Sequence, residues 1–90
     1  MSESSDEKFA ESTLSEAIEN QVREGKPLAA AMTLQRLLGA GHARADAIHM
    51  MAQVLGFEVR AILEQERPFD MDWYVAALQA LPTLPEVTGD

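Results

Sequence analysis

The sequence predicts an all-α domain, a small four-helix bundle with its third helix central. Three observations carry that expectation. Apolar residues recur at helical spacing over four segments, at about residues 6–24, 27–38, 44–66 and 71–81. Gly25, Pro27, Gly39, Gly41 and Pro68 punctuate the gaps between them. The stretch from Arg44 to Glu66, RADAIHMMAQVLGFEVRAILEQE, is the longest uninterrupted helical pattern and carries apolar residues on two sides.

The elements follow in order. Met1 to Ser5 are polar and expected to be disordered. Asp6 is the expected N-cap of the first helix, with Glu7 in the turn where the helix dipole favours negative charge. The apolar face of that helix is narrow: Ala10, Leu14, Ala17, Ile18 and Val22, with Phe9 to one side. So little area suggests a helix on the outside of the bundle, and Glu19 and Arg23 form an i, i+4 pair of the favoured polarity. Gly25 supplies a left-handed stop, and Pro27 suits the first turn of a second helix. That helix presents Ala30, Ala31, Leu34, Leu37 and Leu38, with Leu28 and Met32 widening the face. Gly39 and Gly41 then make a tight turn, so the second and third helices should be close neighbours.

On the third helix Ala45, Ile48, Met51, Ala52, Leu55, Val59, Ile62 and Leu63 share one face. Met50, Val54, Phe57 and Ala61 recur at i, i+4, i+7 and i+11 on roughly the opposite face. A helix apolar on two sides must be covered on both, by its own chain or by a partner. Gly56, inside the helix, marks a close contact or tolerated slack. Arg67-Pro68 ends the run, and Asp70 caps a fourth helix, Met71 to Leu81, with Asp72 in its first turn. Its inner face holds Met71, Tyr74, Ala77, Leu78 and Leu81, flanked by Trp73 and Val75. Residues 6–82 thus form one domain, and 83–90, held extended by Pro82 and Pro85, form a mobile tail.

Composition narrows the function. The net charge is −8, with −4 in residues 1–26, −1 in 27–66 and −3 in 67–90. An acidic surface repels phosphate backbones, and a recognition helix would present Met50, Val54 and Phe57 to a groove, so no nucleic-acid partner is expected. There is no cysteine, hence no disulfide and no thiolate metal site. The acidic start is unlike a signal peptide and no apolar run reaches membrane-spanning length, so no membrane association and a cytoplasmic location are expected. Apolar residues make up 47% of the chain, much of that alanine, which buries little area. A second copy would add what a chain of this length lacks.

Residues 42–82, HARADAIHMMAQVLGFEVRAILEQERPFDMDWYVAALQALP, hold an Ala-Ile-His step in a long helix, a proline-containing acidic turn and a Tyr-x-x-x-Leu helix. Through His49, Phe69, Asp70, Tyr74 and Leu78 this block resembles the C-terminal part of bacterial proteins of the domain-of-unknown-function 1841 type. Residues 1–41 are outside the resemblance. It implies a helical fold and a bacterial source, and brings no catalytic or binding residue.

A polar edge on the third helix holds His42, Asp46, His49, Gln53, Arg60 and Glu64. His42 and His49 stand about two turns apart, roughly 10 Å, too far to share a metal ion. Asp46 and His49, at i and i+3, make half of a carboxylate-bridged metal arrangement, whose other half would need glutamates such as Glu16 or Glu19. The simpler reading gives Asp46 to the helix start and His49 to a hydrogen bond with a neighbouring loop or carboxylate. Arg60 and Glu64 read as a solvated pair. No nucleophile–base set and no glycine-rich phosphate cradle is present, so neither catalysis nor a cofactor is expected. The expectation is a non-enzymatic interaction module, homodimeric or bound to another protein through Met50, Val54, Phe57, Ala61 and Trp73. The alternative is a metal- or small-ligand-binding bundle centred on Asp46 and His49.

Overall fold

In the computed structural model the chain forms four helices: α1 (Glu3–Glu24), α2 (Leu28–Gly39), α3 (Arg44–Gln65) and α4 (Met71–Ala80). The structure describes residues 3–85, and side chains from residue 12 onward. Among the described residues there is no strand, and the expected all-α bundle stands. The expectations for residues 1–2 and 86–90, and for the Phe9 and Ala10 side chains, concern parts outside the described residues.

Helix ends follow local chemistry. α1 begins at Glu3, so residues 3–5 are helical rather than disordered, and Asp6 lies within the helix instead of capping it. Gly25, at φ 67°, supplies the left-handed stop, its N–H donating to the Gln21 carbonyl at 2.8 Å. Pro27 occupies the N-cap of α2 in extended conformation, one position before its expected place in the first turn. At the far end Gly41 takes φ 102° while the His42 N–H returns to the Leu37 carbonyl at 3.1 Å. α3 runs unbroken through Gly56 and stops where Glu66 turns left-handed, with φ 52°. Asp70 caps α4 as expected, its Oδ1 accepting from the Trp73 N–H at 3.0 Å.

α3 packs against all three other helices, and α2 does the same, so the centre of the bundle is shared. α1 and α3 are antiparallel: Leu14 meets Gly56, and Glu19 meets Arg44 five residues further along α1 but twelve residues back along α3. A Cβ on Gly56 would stand 3.3 Å from Leu14 Cδ1, so the glycine marks a close helix contact. That approach draws α1 deeper than its narrow face suggested. Ile18 is fully buried, and Leu14, Ala17 and Val22 pack onto the core. The core proper is Ile18, Leu34, Leu37, Ile48, Met51, Val54, Leu55, Tyr74, Leu78 and Leu81 with alanines between. Each large side chain buried there stabilises the fold by about 1.5–3 kcal/mol relative to exposure.

The two apolar stripes of α3 are not separate surfaces. Ala47, Met51, Val54 and Glu58, at i, i+4, i+7 and i+11, are all buried and join them into one broad arc. Val54 is fully buried inside the chain and Met50 packs onto the core. The protomer therefore covers its own central helix. The opposite edge of that arc ends early, since Val59 and Leu63 are exposed.

Candidate interaction surface

The polar edge of α3 is a solvated face. Asp46, His49, Gln53, Arg60 and Glu64 are exposed and His42 is half-buried. Arg60 Nε donates to Glu64 Oε2 at 3.0 Å, the expected i, i+4 pair. Glu19, the carboxylate that a metal reading would recruit, is held elsewhere. Arg44 donates to it through both terminal nitrogens at 2.8 Å, which keeps its carboxyl below the usual carboxylate range. Arg44 outranks the expected partner Arg23 at Glu19: its planar fork reaches across from α3 with two bonds, while Arg23 donates to Asn20 and acts on Glu19 only through its charge. Among the described residues no group of three His, Cys, Asp or Glu side chains could hold a metal ion.

Glu58 is the functional-looking residue that the sequence reading passed over. Its side chain is 1% exposed, on the core-facing arc of α3. Arg67 donates to it from Nη1 and Nη2 at 2.8 and 2.9 Å, and the Asp70 N–H donates to Oε2 at 2.7 Å. The hydrogen bonds from Arg67 lower the carboxyl's pKa, outweighing burial, which raises it; the Asp70 N–H adds to the lowering. Arg67 also donates to the Pro68 carbonyl at 2.8 Å. One carboxylate thus ties the left-handed turn after α3 to the N-cap of α4. The signal for it was positional: Glu58 stands seven residues after buried Met51, where the helical period calls for an apolar side chain.

Two further polar links close the bundle. Arg36 of α2 donates to the carbonyls of Leu81, Leu78 and Gln79 at 2.7, 3.1 and 3.2 Å, capping the negative end of the α4 dipole. Tyr74, fully buried, donates its hydroxyl to Gln21 Oε1 at 2.7 Å and meets the Phe69 ring edge-on, with centroids 5.2 Å apart. Burial pushes the Tyr74 phenol up to about 12. Among the described residues no buried side-chain nitrogen or oxygen lacks a partner. Each of these groups serves the fold.

The residues expected to meet a partner divide. Val54 offers no surface, because the bundle covers it; Met50, Phe57 and Ala61 are half-buried; Trp73 is 37% exposed. The apolar surface that remains lies elsewhere. Leu28 and Met32, expected to widen the inner face of α2, point outward instead and are 63% and 61% exposed. They recur with Gln35 and Gly39 at i, i+4, i+7 and i+11, opposite buried Ala30, Thr33, Leu34 and Leu37. Beside them, between α2 and α4, an open cleft of about 470 Å³ is lined by Leu28, Ala29, Met32, Thr33, Arg36 and Gln79. Residues 25–45 contain three basic residues and no carboxylate, so the rest of the chain carries −11 of the net −8. The outer face of α2 therefore sets Leu28 and Met32 beside exposed Gln35 and Lys26, in a segment without carboxylates on an acidic protein.

No family model, curated protein or solved structure matches this chain. Among the described residues no helix is long and apolar enough to cross a membrane.

Proposed function

We propose that the protein is a non-enzymatic helical interaction module, acting by burying an exposed apolar helix face against a partner or a second copy. The observation that carries this reading is the outward placement of Leu28 and Met32 in an ordered helix whose Leu34 and Leu37 are packed inside. Scattered exposed leucines are ordinary, but two adjoining ones beside an apolar cleft form a contiguous patch. The internal commitments of Glu58, Arg36 and Tyr74 support the same reading, since Glu58 binds the turn before α4, Arg36 the carbonyls that end α4 and Tyr74 the Gln21 side chain, all within the fold. The proposal includes a cytoplasmic location and, for residues 42–82, kinship with the bacterial 1841 type of domain.

The test is photo-crosslinking in the native cell, with a photoreactive side chain placed in turn at Leu28, Met32, Leu63 and Trp73, all of them exposed. The expected result is a discrete adduct, to a second copy or to another protein, from at least one position. Absence of an adduct at all four would overturn the reading.

A further inference from the structure

We infer that the buried Glu58 carboxylate selects the rotation in which α4 docks, holding Tyr74 and Leu78 inward against a competing apolar face of the same helix. α4 is apolar nearly all round: in MDWYVAALQA only Asp72 and Gln79 are charged or amide residues. Such a helix has more than one side that could meet the core. Tyr74, Leu78 and Leu81 point inward and are buried. Met71, Val75 and Leu78 share the same i, i+4, i+7 spacing, on a face about 60° away at 100° per residue. Met71 nevertheless stands 47% exposed and Val75 is half-buried. Each face offers three apolar side chains, so the pattern alone does not choose between them.

Polar contacts do choose, and not equally. Arg36 holds the Leu78, Gln79 and Leu81 carbonyls, but the last carbonyls of a helix all point along its axis, so that set tolerates rotation. Gln21 is half-buried, so water can replace its bond to the Tyr74 hydroxyl. Glu58 has no such latitude. Its side chain is 1% exposed, and Oε2 accepts the Asp70 N–H at 2.7 Å while Arg67 holds both oxygens. Asp70 is also the N-cap, with Oδ1 on the Trp73 N–H, so its orientation fixes the first turn of α4. Turning the helix would swing the Asp70 N–H away and strip a donor from a carboxylate that water barely reaches. A buried ion pair is often no more stabilising than apolar side chains of its volume; what Glu58 adds is this penalty on the alternatives. The same choice decides which α4 side chains face outward, Met71 and Trp73 among them.

Replacing both partners separates selection from stability, because removing one alone strands the other. The full chain carrying Glu58→Leu and Arg67→Met should keep its helical circular dichroism and unfold at the same urea concentration as the wild type, or a higher one. The single tryptophan and the single tyrosine of the chain, Trp73 and Tyr74, both lie in α4, so the near-ultraviolet dichroism reports its packing. That band should fall by about half or more. The α4 amide signals in NMR should double or broaden, and the contact between the Phe69 and Tyr74 rings should weaken. Adding Met71→Gln and Val75→Gln removes the competing face and should restore the band and a single set of signals. A double variant with the wild-type band and one sharp signal set overturns the inference, since packing alone then orients α4. One that unfolds well before the wild type overturns it as well, since the pair then supplies stability rather than selection. Failure of the two glutamines to restore a single state overturns the competing face.

Discussion

Replacing Glu58 by glutamine removes one charge, keeps the side chain's shape, and should cost this small domain a large share of its stability. Three donors converge on the carboxylate, at 2.7, 2.8 and 2.9 Å. Glutamine can still accept the Asp70 N–H, but its own amide nitrogen then faces the Arg67 guanidinium, donor against donor. Removing one partner of a fully buried pair costs about 3–5 kcal/mol. Arg67 is 29% exposed, so water compensates part of that loss, and about 2–3 kcal/mol is expected. At roughly 4–8 °C per kcal/mol, the melting temperature should fall by about 10–20 °C.

The pH dependence gives the sharper reading. The folded carboxyl titrates below its unfolded value near 4.5, so its contribution is complete above that value and is lost as pH falls through the folded pKa. The glutamine variant lacks this component. Urea unfolding followed by helical circular dichroism, for both proteins at neutral pH and at steps below pH 4.5, should show the stability gap closing as acid is added. A gap under about 0.5 kcal/mol at neutral pH would refute the assigned role, because that is the scatter of an ordinary surface substitution. So would a gap that stays constant into acid.

Tyr74→Phe removes the hydroxyl that joins α4 to Gln21 of α1 and should cost about 1 kcal/mol in urea unfolding. Because burial raises the phenol from 10.0 to about 12, wild-type stability is full below pH 10 and lost as pH rises through about 12, and the phenylalanine variant should lack that alkaline loss. Gly56→Ala places its methyl 3.3 Å from the movable end of the half-buried Leu14 side chain. Leu14 can yield by a few tenths of an ångström, so the helix-propensity gain of about 1 kcal/mol should prevail and the melting temperature rise; a fall would show that α1 cannot move.

Elements were legible where a single residue type forces the backbone. Gly25 and Gly41 at positive φ, Pro68 and the Asp70 cap each placed a boundary within a residue or two. The start of α1 was not legible, because Ser4, Ser5 and Asp6 each suit a cap and only the backbone shows the helix running through them to Glu3. Periodicity placed the apolar arcs of α3 correctly but not their relation. Whether Met51 and Val54 belong to one buried sector or to two depends on where α1, α2 and α4 approach, and that is long-range information. The same gap concealed Glu58, since a polar letter inside an apolar arc reads as an interruption until its partner, Arg67, is known to fold back nine residues. The α2 face was misjudged for a related reason. Leu28 and Met32 are hydrophobic, and pattern alone assigns such residues inward when no neighbour is in view.

That misjudgement changes where association has to be argued. An uncovered stripe on α3 would have demanded a partner simply to be stable, with Val54 as its centre. The chain meets that demand itself, through Ile18, Leu37, Tyr74 and Leu78 around a filled arc. A protomer so closed buries its core without a second copy, so any contact made through the exposed Leu28 and Met32 is separable from folding.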